Sequence, residues 1–402
     1  MKLKLIALVL FSSLLLGQTV QRDRTALREG PGAWYPLISE LSTGTQVKIV
    51  KALENWVEVQ SGNQTGYISA RALQKKSEPQ DVFAQMAKQS TGTQVGHAGV
   101  TAAVKGFADR FSKRLAGDPG TLNYIQALSL NTRSYSTFRE ETIASKTLRK
   151  LRRKLRLPKL KKDKPFSFSE EGSGYAIAAK LGTLGLVKDA GLEQYVNQVG
   201  TFVAEQSQGY DISFKFIILD QDGVNGYACP GGIIFITRGA IELMRSEAEL
   251  ACFLGHEISH VVNRHGMKEM EERKEMIVSG NAFDEMSMSV GESADITEVS
   301  QDLDDMALNS YETIFKGRLG KYEQEADEHG LLYAARSGYD PKAMIEFLKR
   351  VGKSNSIQGS EHYSDSQNDL RIKRISKFVS GKPFKGRKEF SQQTKRFRKM
   401  MN

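Results

Sequence analysis

The sequence predicts a multidomain protein in which a small all-β barrel is followed by a larger α+β domain that is mainly helical. The chain has 402 residues, which is enough for two or three domains. Residues 22–76 alternate short apolar runs with Gly, Asn and Ser turns, as small barrels do. Beyond residue 166, segments with helical periodicity surround two strand candidates, ISFKFIIL at 212–219 and GIIFIT at 232–237.

The positive charge of the chain is concentrated in one segment. The formal net charge is +10, but residues 146–164 alone hold eleven Lys or Arg and one Asp. The rest of the chain is therefore close to neutral. Because the start of the chain resembles an export signal, we expect no nucleic-acid partner. Two cysteines, Cys229 and Cys252, exclude a disulfide-rich miniprotein. They could form one disulfide or remain two buried thiols, and the sequence leaves both open.

The first seventeen residues have the layout of a secretory signal peptide. Lys2 and Lys4 precede an apolar run at Leu5–Leu16, which is shorter than the roughly 20 residues needed to span a bilayer. We expect cleavage of residues 1–17 and export to the periplasm or another extracytoplasmic space. An uncleaved anchor is the alternative.

Residues 22–76 carry short motifs in a recognisable order. An Arg-x-Gly-Pro-Gly start at Arg28–Gly32 is followed by Trp34-Tyr35-Pro36 and then by the apolar strands VKIV, WVEV and GYI. This order resembles that of bacterial SH3-like domains. The resemblance implies docking on a cell-wall peptide or a neighbouring domain, and a passive spacer is the alternative.

Residues 77–165 are predicted to be a helical, basic linker. Helix-period segments occur around Val82–Met86 and Val100–Phe111. The end of the chain, residues 376–402, is also basic and is predicted to be a loosely packed or disordered tail.

The basic part of the linker contains three leucines at helical spacing. Leu148, Leu151 and Leu155 lie three and four residues apart, so a helix would place them on one face. This apolar stripe could contact an anionic membrane surface, or it could pack on a neighbouring segment of the protein. We favour packing.

The segment HEISH at His256–His260 is the strongest chemical signal in the sequence. It lies in an apolar helix predicted for Leu250–Val262, which follows a capping-box pattern at Ser246–Glu249. Side chains four residues apart share one helical face, so both imidazoles can bind one cation. Catalytic zinc keeps a water in an open position, and Glu257 is placed to act as general base on it.

Two histidines supply two ligands, so a third ligand is needed. His265 lies nine residues after His256, one short of the metzincin spacing, and we expect it to cap or decorate the helix end. Glu323 and Asp327 lie four residues apart, and a carboxylate from this second helix would complete a site of two His and one Glu.

Five segments of the predicted second domain, residues 166–375, occur in a recognisable order. They are LEQYVNQVG at 192–200, NGYACPGG at 225–232, TRG at 237–239, the helix from 249 through 260, and EQEAD at 323–327. Together they resemble the CAAX-prenyl-protease and HtpX type of zinc metallopeptidase, which has a zincin-type fold. The SH3-like domain in front is similar to the soluble, periplasmic BepA-like and Oma-like branch.

The resemblance implies one zinc ion per chain, with His256, His260 and Glu323 as ligands. It implies Glu257 as the general base. Asp327 would accept the outer N–H of a ligand histidine and so fix its tautomer.

The resemblance also implies residues that act on the transition state and on the substrate. A His-Pro pair with an Arg six residues later commonly follows the third ligand in this family. Here Tyr follows His362 and Arg371 comes nine residues later, and these two are the predicted oxyanion stabilisers. The strand Gly232–Thr237 is predicted to be an edge strand that pairs with an extended peptide. The predicted substrate-binding residues are Gly231, Gly232, Ile233 and Ile234.

Residues 266–315 form an insertion between the two ligand helices. It holds six of the twelve Met, and residues 276–315 hold nine acidic residues and no Lys or Arg. Because Met adapts to varied apolar partners, we predict a mobile lid over the cleft, with a solvated loop as the alternative.

These features predict a zinc-dependent endopeptidase that cleaves exported or misfolded envelope proteins. One alternative is a chaperone or assembly factor of the cell envelope with little proteolysis. Another is an SH3-directed protein that binds or remodels cell-wall peptides. Polypeptides are the predicted substrates, and contact with the cell wall or with an anionic membrane surface is left open.

Overall fold

A computed structural model describes nine stretches of the chain, and some predictions fall outside them. The described residues are 17–22, 24–74, 117–160, 166, 168–269, 320–353, 365–381, 383–385 and 389–401. Outside them lie the signal peptide up to residue 16, the helical segments predicted around Val82–Met86 and Val100–Phe111, the insertion from 270 onward, and His362. Within the described stretches, no helix combines the length and the apolar character that crossing a bilayer requires.

The first domain is the predicted all-β unit. Its strands lie in the spatial order β1-β4-β5-β6-β2-β3. Gly30 and Gly32 contact the rings of Tyr35 and Trp34 respectively. A Cβ at either glycine would lie 2.4 Å from the ring, so a larger residue would clash with it. The Gly-Pro-Gly motif therefore packs the aromatic motif that follows it. The strands are β1 (Gln18–Thr19), β2 (Thr25–Arg28), β3 (Leu37–Leu41), β4 (Gln46–Ala52), β5 (Trp56–Ser61) and β6 (Gln64–Ser69).

The described part of the linker folds onto the larger domain. Its helices are α1 (Pro119–Ala127), α2 (Thr132–Thr142) and α3 (Ser145–Lys154). The three leucines at 148, 151 and 155 are buried. Leu151 and Leu155 pack with Leu332 and Ala335 of a later helix. The leucine stripe is thus covered by the protein itself, as the packing alternative requires.

The larger domain contains a three-stranded sheet in the order β7-β9-β8. The strands are β7 (Lys215–Leu219), β8 (Gly226–Ala228) and β9 (Ile233–Thr237). The predicted substrate strand β9 pairs with β7 in parallel and with β8 in antiparallel fashion. The expectation of an edge strand is therefore wrong. Each residue of β9 is buried, which is typical of a central strand covered on both faces.

The described chain contributes eight helices to this domain, and one of them, α7, packs against several of the others. Every residue of α7 is buried, and Ser246 caps its start by accepting a hydrogen bond from the Glu249 N–H. The predicted capping pattern thus begins the helix that carries HEISH. The helices are α4 (Phe168–Gly182), α5 (Ala190–Ala204), α6 (Arg238–Leu243), α7 (Glu247–Val262), α8 (Gly320–Arg336), α9 (Ala343–Val351), α10 (Asp365–Val379) and α11 (Thr394–Met401).

The basic tail is packed, which corrects the expectation of a loose end. Helix α10 continues past the predicted boundary at residue 375, and α11 lies against α5 and α7. Phe397 is buried next to the ring of Tyr195. Arg396 donates hydrogen bonds from Nε and Nη2 to the fully buried carboxylate of Glu247. The apolar Phe397 and the ion pair of Arg396 with Glu247 therefore hold α11 in place, although its basic composition predicts a solvated end.

The SH3-like domain docks on the larger domain. The Ser69 hydroxyl donates to Asp211 at 2.7 Å, and Arg71 Nη1 lies 3.1 Å from the other oxygen of that carboxylate. The rings of Trp56 and Tyr210 meet edge to face, 6.0 Å apart. The SH3-like domain therefore docks on its neighbouring domain and is not a passive spacer.

Cys229 and Cys252 are not joined in a disulfide, and both side chains are buried. Cys252 donates a weak hydrogen bond to the Asp340 carbonyl, with sulfur and oxygen 3.7 Å apart. Burial raises the pKa of the Cys252 thiol. The structure thus has two buried thiols in place of a disulfide.

Candidate metal centre

Two glycines allow helices α7 and α8 to touch through their backbones. A Cβ on Gly255 would lie 2.6 Å from the carbonyl oxygen of Gly330, and a Cβ on Gly330 would lie 2.5 Å from the backbone nitrogen of His256. Any larger residue at either position would separate the helices. This close crossing brings Glu323 and Asp327 of α8 against the HEISH segment of α7.

The three predicted ligands converge at this crossing. His256 Nε2 lies 3.1 Å from His260 Nε2 and 3.4 Å from Glu323 Oε2. His260 Nε2 lies 3.3 Å from Glu323 Oε1. Metal–ligand bonds of about 2.0–2.1 Å in tetrahedral geometry separate ligand atoms by about 3.3 Å. The two imidazole nitrogens and one carboxylate thus fit a single metal ion, and they form the one such group found among the described side chains.

The protonation of the cluster favours positive charge at its centre. Burial lowers the pKa of His256, but its hydrogen bonds with Asp327 and Glu323 outweigh burial and raise this pKa to about 10. Burial raises the pKa of Glu323, but its contacts with His256 and His260 hold it well below the usual value. Carboxylates that stabilise a proton here would stabilise a metal cation at the same place.

The outer nitrogen of His256 is held by a buried carboxylate. His256 Nδ1 lies 2.9 Å from Asp327 Oδ1, as the prediction for Asp327 requires. Arg371 donates to the same carboxylate, from Nη2 at 2.7 Å and from Nε at 3.2 Å. Burial raises the pKa of Asp327, but Arg371 and then His256 outweigh it and lower this pKa. The Asp327 carboxylate therefore links the Arg371 guanidinium to the His256 imidazole.

The outer nitrogen of His260 is held by His265, which corrects the expectation that His265 caps or decorates the helix end. Helix α7 ends at Val262, and Arg264 turns the chain with a φ of +55°. The fully buried ring of His265 then lies with Nδ1 2.9 Å from His260 Nδ1. Its Nε2 lies 3.2 Å from Glu325 Oε2.

The direction of these bonds follows from the carboxylate. An ionised carboxylate only accepts, and the hydrogen bond from His265 is the largest cause that lowers the pKa of Glu325 to about 2. His265 therefore donates from Nε2, and when its ring is neutral its Nδ1 accepts the N–H of His260. No spacing rule in the sequence points to His265 or Glu325 in this role.

Glu257 and the predicted substrate-binding glycines lie around the sheet. The buried Glu257 carboxylate lies against Gly226 of β8, where a Cβ would come within 2.5 Å of Oε1. Gly231 and Gly232 have φ values of +82° and +103°, which favour glycine. They form the turn between β8 and β9, and a Cβ there would meet Glu171 and Ile212 respectively, so the turn itself explains both glycines.

Two family models match different parts of this chain. Residues 190–379 match peptidase family M48, and residues 23–74 match the bacterial SH3 domain. A beta-barrel assembly-enhancing protease of Yersinia pestis is 30% identical over 172 residues, which are 41% of this chain and 34% of the relative. The protein of that name from Escherichia coli O157:H7 is 30% identical over 183 residues, 44% of this chain and 36% of the relative.

A mitochondrial protein is also similar to part of this chain. The mitochondrial metalloendopeptidase OMA1 of Arabidopsis thaliana is 29% identical over 145 residues, 35% of this chain and 26% of the relative. The chain thus spans about a third of the length of the bacterial relatives. The M48 match includes α5, the sheet, and the helices that carry the donor cluster and Arg371. The chain contains a peptidase family M48 domain, preceded by a bacterial SH3 domain and homologous to the beta-barrel assembly-enhancing proteases and the OMA1 metalloendopeptidases.

Proposed function

We propose that the protein is a zinc-dependent endopeptidase that cleaves exported or misfolded envelope proteins. The observation that carries this proposal is the cluster of His256, His260 and Glu323, with donor atoms 3.1–3.4 Å apart next to Glu257 in the sequence. A site of two His and one Glu, which leaves a position open, is a known ligand set of catalytic zinc. The match to peptidase family M48 supports the same activity.

In this proposal His256, His260 and Glu323 hold the ion, which when bound supplies Lewis acidity to a water and to the carbonyl of the scissile peptide. Glu257 is the general base. Its carboxylate takes a proton from the attacking water and delivers it to the nitrogen of the leaving amine. The buried position of Glu257 keeps bulk water from competing for that proton.

The remaining side chains orient the ligands. Asp327 and Arg371 hold the outer nitrogen of His256, and His265 with Glu325 holds that of His260. The contacts of Arg371 with Asp327 support a positioning role in place of the predicted oxyanion role. His362 remains our proposed oxyanion stabiliser from the family resemblance.

The proposed substrates are polypeptides of the cell envelope. Two bacterial relatives carry names that describe a protease enhancing beta-barrel assembly. The apolar run at Leu5–Leu16 supports export of the chain to the same compartment. Substrate and compartment rest on these two arguments.

The test compares wild-type protein with the Glu257→Gln variant. The amide keeps the shape of the side chain but cannot accept a proton at neutral pH. We expect the variant to retain one zinc ion per chain, measured by elemental analysis, and to cleave unfolded casein about 100- to 10,000-fold more slowly. The Glu346→Gln variant, on an exposed part of α9, is the matched control and should cleave at the wild-type rate.

Two results would contradict this proposal. One is wild-type protein that binds no divalent metal, and the other is a Glu257→Gln variant that cleaves casein normally. If cells that carry Glu257→Gln keep a function of the protein, that function belongs to an assembly or chaperone activity and does not need cleavage.

A further inference from the structure

A cleft of about 400 Å³ lies where the SH3-like domain meets the larger domain. None of its lining residues belongs to the donor cluster of the metal centre. Aromatic side chains line it from both domains. Trp34 and Tyr35 belong to the SH3-like domain, and Tyr210 and Phe214 belong to the segment before β7. Such a volume and such walls are typical of sites that hold a small ligand or a few residues of a peptide.

Two cations line the cleft without a carboxylate partner. Arg28 Nη1 donates to the Tyr35 carbonyl at 2.8 Å, and Lys215 Nζ donates to the Leu128 carbonyl. In the described part of the chain neither side chain forms an ion pair. Burial lowers the pKa of Lys215, and the nearby Arg28 lowers it further, so two like charges face one region. Burial likewise lowers the pKa of Arg28, and only the field of Glu40 opposes this.

The one acidic side chain among the lining residues is already engaged. Glu205 accepts a hydrogen bond from the Tyr135 hydroxyl at 3.1 Å and pairs with Arg139 Nη2 at 3.1 Å. The N–H groups of Arg28 Nε and Trp34 Nε1 are buried, and neither meets an acceptor among the described residues. The cleft thus combines apolar walls with an excess of positive charge. An anionic group with several acceptor lone pairs matches this set.

We propose that this cleft binds a carboxylate-bearing segment of a polypeptide, with an Asp or Glu side chain next to Arg28 and Lys215 and an apolar neighbour against the aromatic walls. A polypeptide suits the cleft better than a nucleic acid, because two cations beside aromatic rings do not form the extended basic track that a phosphate backbone needs. The site is separate from the metal centre. It would hold one part of a bound chain while the two domains stay docked.

The experiment measures peptide binding to the full-length Glu257→Gln protein, which prevents cleavage of the probe. The probes are acetyl-Ala-Phe-Asp-Phe-Ala-amide and the same peptide with Asn in place of Asp. Isothermal titration calorimetry should give a dissociation constant about tenfold lower for the Asp peptide, because only its carboxylate pairs with the two cations. Equal dissociation constants would overturn the proposal, whether or not the protein proves to be a peptidase.

Variants at residue 215 locate the binding. Lys215→Met keeps the length of the side chain and should weaken binding of the Asp peptide about tenfold, with little change for the Asn peptide. Lys215→Arg should restore the preference, which separates a loss of charge from a loss of folding. Lys342→Met, at an exposed position outside the cleft, should bind as the parent does. A Lys215→Met variant that keeps the preference, or a protein that binds soluble peptidoglycan fragments but neither peptide, would overturn the proposal.

Discussion

Each of the two proposed ligand histidines uses its outer ring nitrogen in a buried hydrogen bond. For His256 the partner is a carboxylate, Asp327, which Arg371 holds in place. For His260 the partner is a second imidazole, that of His265. When the rings are neutral, both arrangements place the proton on the outer nitrogen and leave the lone pair of Nε2 for a cation. The orientation of the ligands is therefore fixed before a metal binds.

The His265 contact predicts a loss of metal affinity when it is removed. In His265→Leu the N–H of His260 would be buried without its acceptor, so the ring would be free to turn or change tautomer. We expect zinc affinity, measured by competition with a chelating dye, to fall about 10- to 100-fold. His265→Gln, whose amide oxygen can accept the same N–H, should recover part of the loss.

The control for this prediction is another partly buried histidine nearby. His329 accepts a hydrogen bond from Asn263 and touches none of the three ligands through a described hydrogen bond. His329→Leu should leave zinc affinity within about twofold of the wild type. If His265→Leu also stays within that range, His265 does not position the ligand.

Arg371 offers a prediction that separates two roles. A guanidinium that positions Asp327 supports metal binding, whereas one that stabilises the oxyanion affects turnover alone. Because both described hydrogen bonds of Arg371 go to Asp327, we expect Arg371→Met to lower zinc affinity by about tenfold or more. A variant with normal zinc affinity and reduced kcat would favour the oxyanion role instead.

The sequence predicts the ligands more readily than it predicts their supports. His256 and His260 are four residues apart on one helix, and this spacing alone places them on one face. The contact of His265 depends on a left-handed backbone at Arg264. An arginine in a sequence does not predict this conformation, which is common only for glycine. Side chains that meet through such turns are found only from coordinates.

At the scale of elements, the proposed metal centre depends on how closely α7 and α8 approach. Gly330 is the residue of α8 that contacts the backbone of Gly255 and His256. In Gly330→Ala the added methyl would force the helices apart, which should cost about 1–3 kcal/mol of unfolding free energy. Glu323 and Asp327 would move away from the histidines at the same time, so zinc affinity should fall as well. Chemical denaturation of metal-free protein and a chelator competition measure the two effects.

Gly320 provides a matched control on the same helix. A Cβ at Gly320 meets nothing within 4 Å, so Gly320→Ala adds the same methyl without a clash. We expect this variant to be as stable as the wild type or more stable by up to about 1 kcal/mol. Equal effects of the two substitutions would show that helix propensity, and not the crossing, decides the outcome.

The strand order of the sheet explains why the prediction of an edge strand for β9 is wrong. The run IIFIT in β9 is apolar at nearly every residue, which indicates burial on both faces and thus a central strand. Its edge neighbour β8 has only three residues, Gly226–Ala228, which is too short to show alternation. A strand this short leaves no pattern in the sequence, so the neighbour that makes β9 central is found only in the structure.

At the scale of the whole molecule, the segments at both ends of the described chain pack on the peptidase domain. The SH3-like domain contacts the peptidase domain through Ser69 and Arg71, which bond to Asp211. The tail contacts it through α11, in which Phe397, Met400 and Met401 pack against the main core. The apolar positions of α11 are three and four residues apart, so its amphipathic pattern is present in the sequence. The average composition of the tail does not show this pattern, because Lys and Arg dominate it.

The tail also neutralises a charge at the start of α7, the helix that carries the two proposed ligand histidines. Glu247 is the first residue of α7 and is fully buried. Its carboxylate accepts hydrogen bonds from the hydroxyls of Tyr195 and Tyr339 at 2.8 and 2.7 Å. Arg396 of α11 supplies the positive charge. A buried carboxylate without its cation is costly, so the tail contributes to the stability of the domain that it covers.

This pairing predicts a large difference between two arginines of the same helix. Arg396→Met keeps much of the apolar stem but leaves the Glu247 carboxylate buried without a counter-charge, and we expect a loss of about 3–5 kcal/mol in unfolding free energy by urea denaturation. Arg398→Met, at an exposed position two residues later, should change the same quantity by less than about 0.5 kcal/mol. The double variant Arg396→Met with Glu247→Gln should recover part of the loss, because it removes the unpaired charge. If Arg396→Met and Arg398→Met destabilise the protein equally, α11 is held by its apolar residues alone and the buried ion pair does not stabilise the fold.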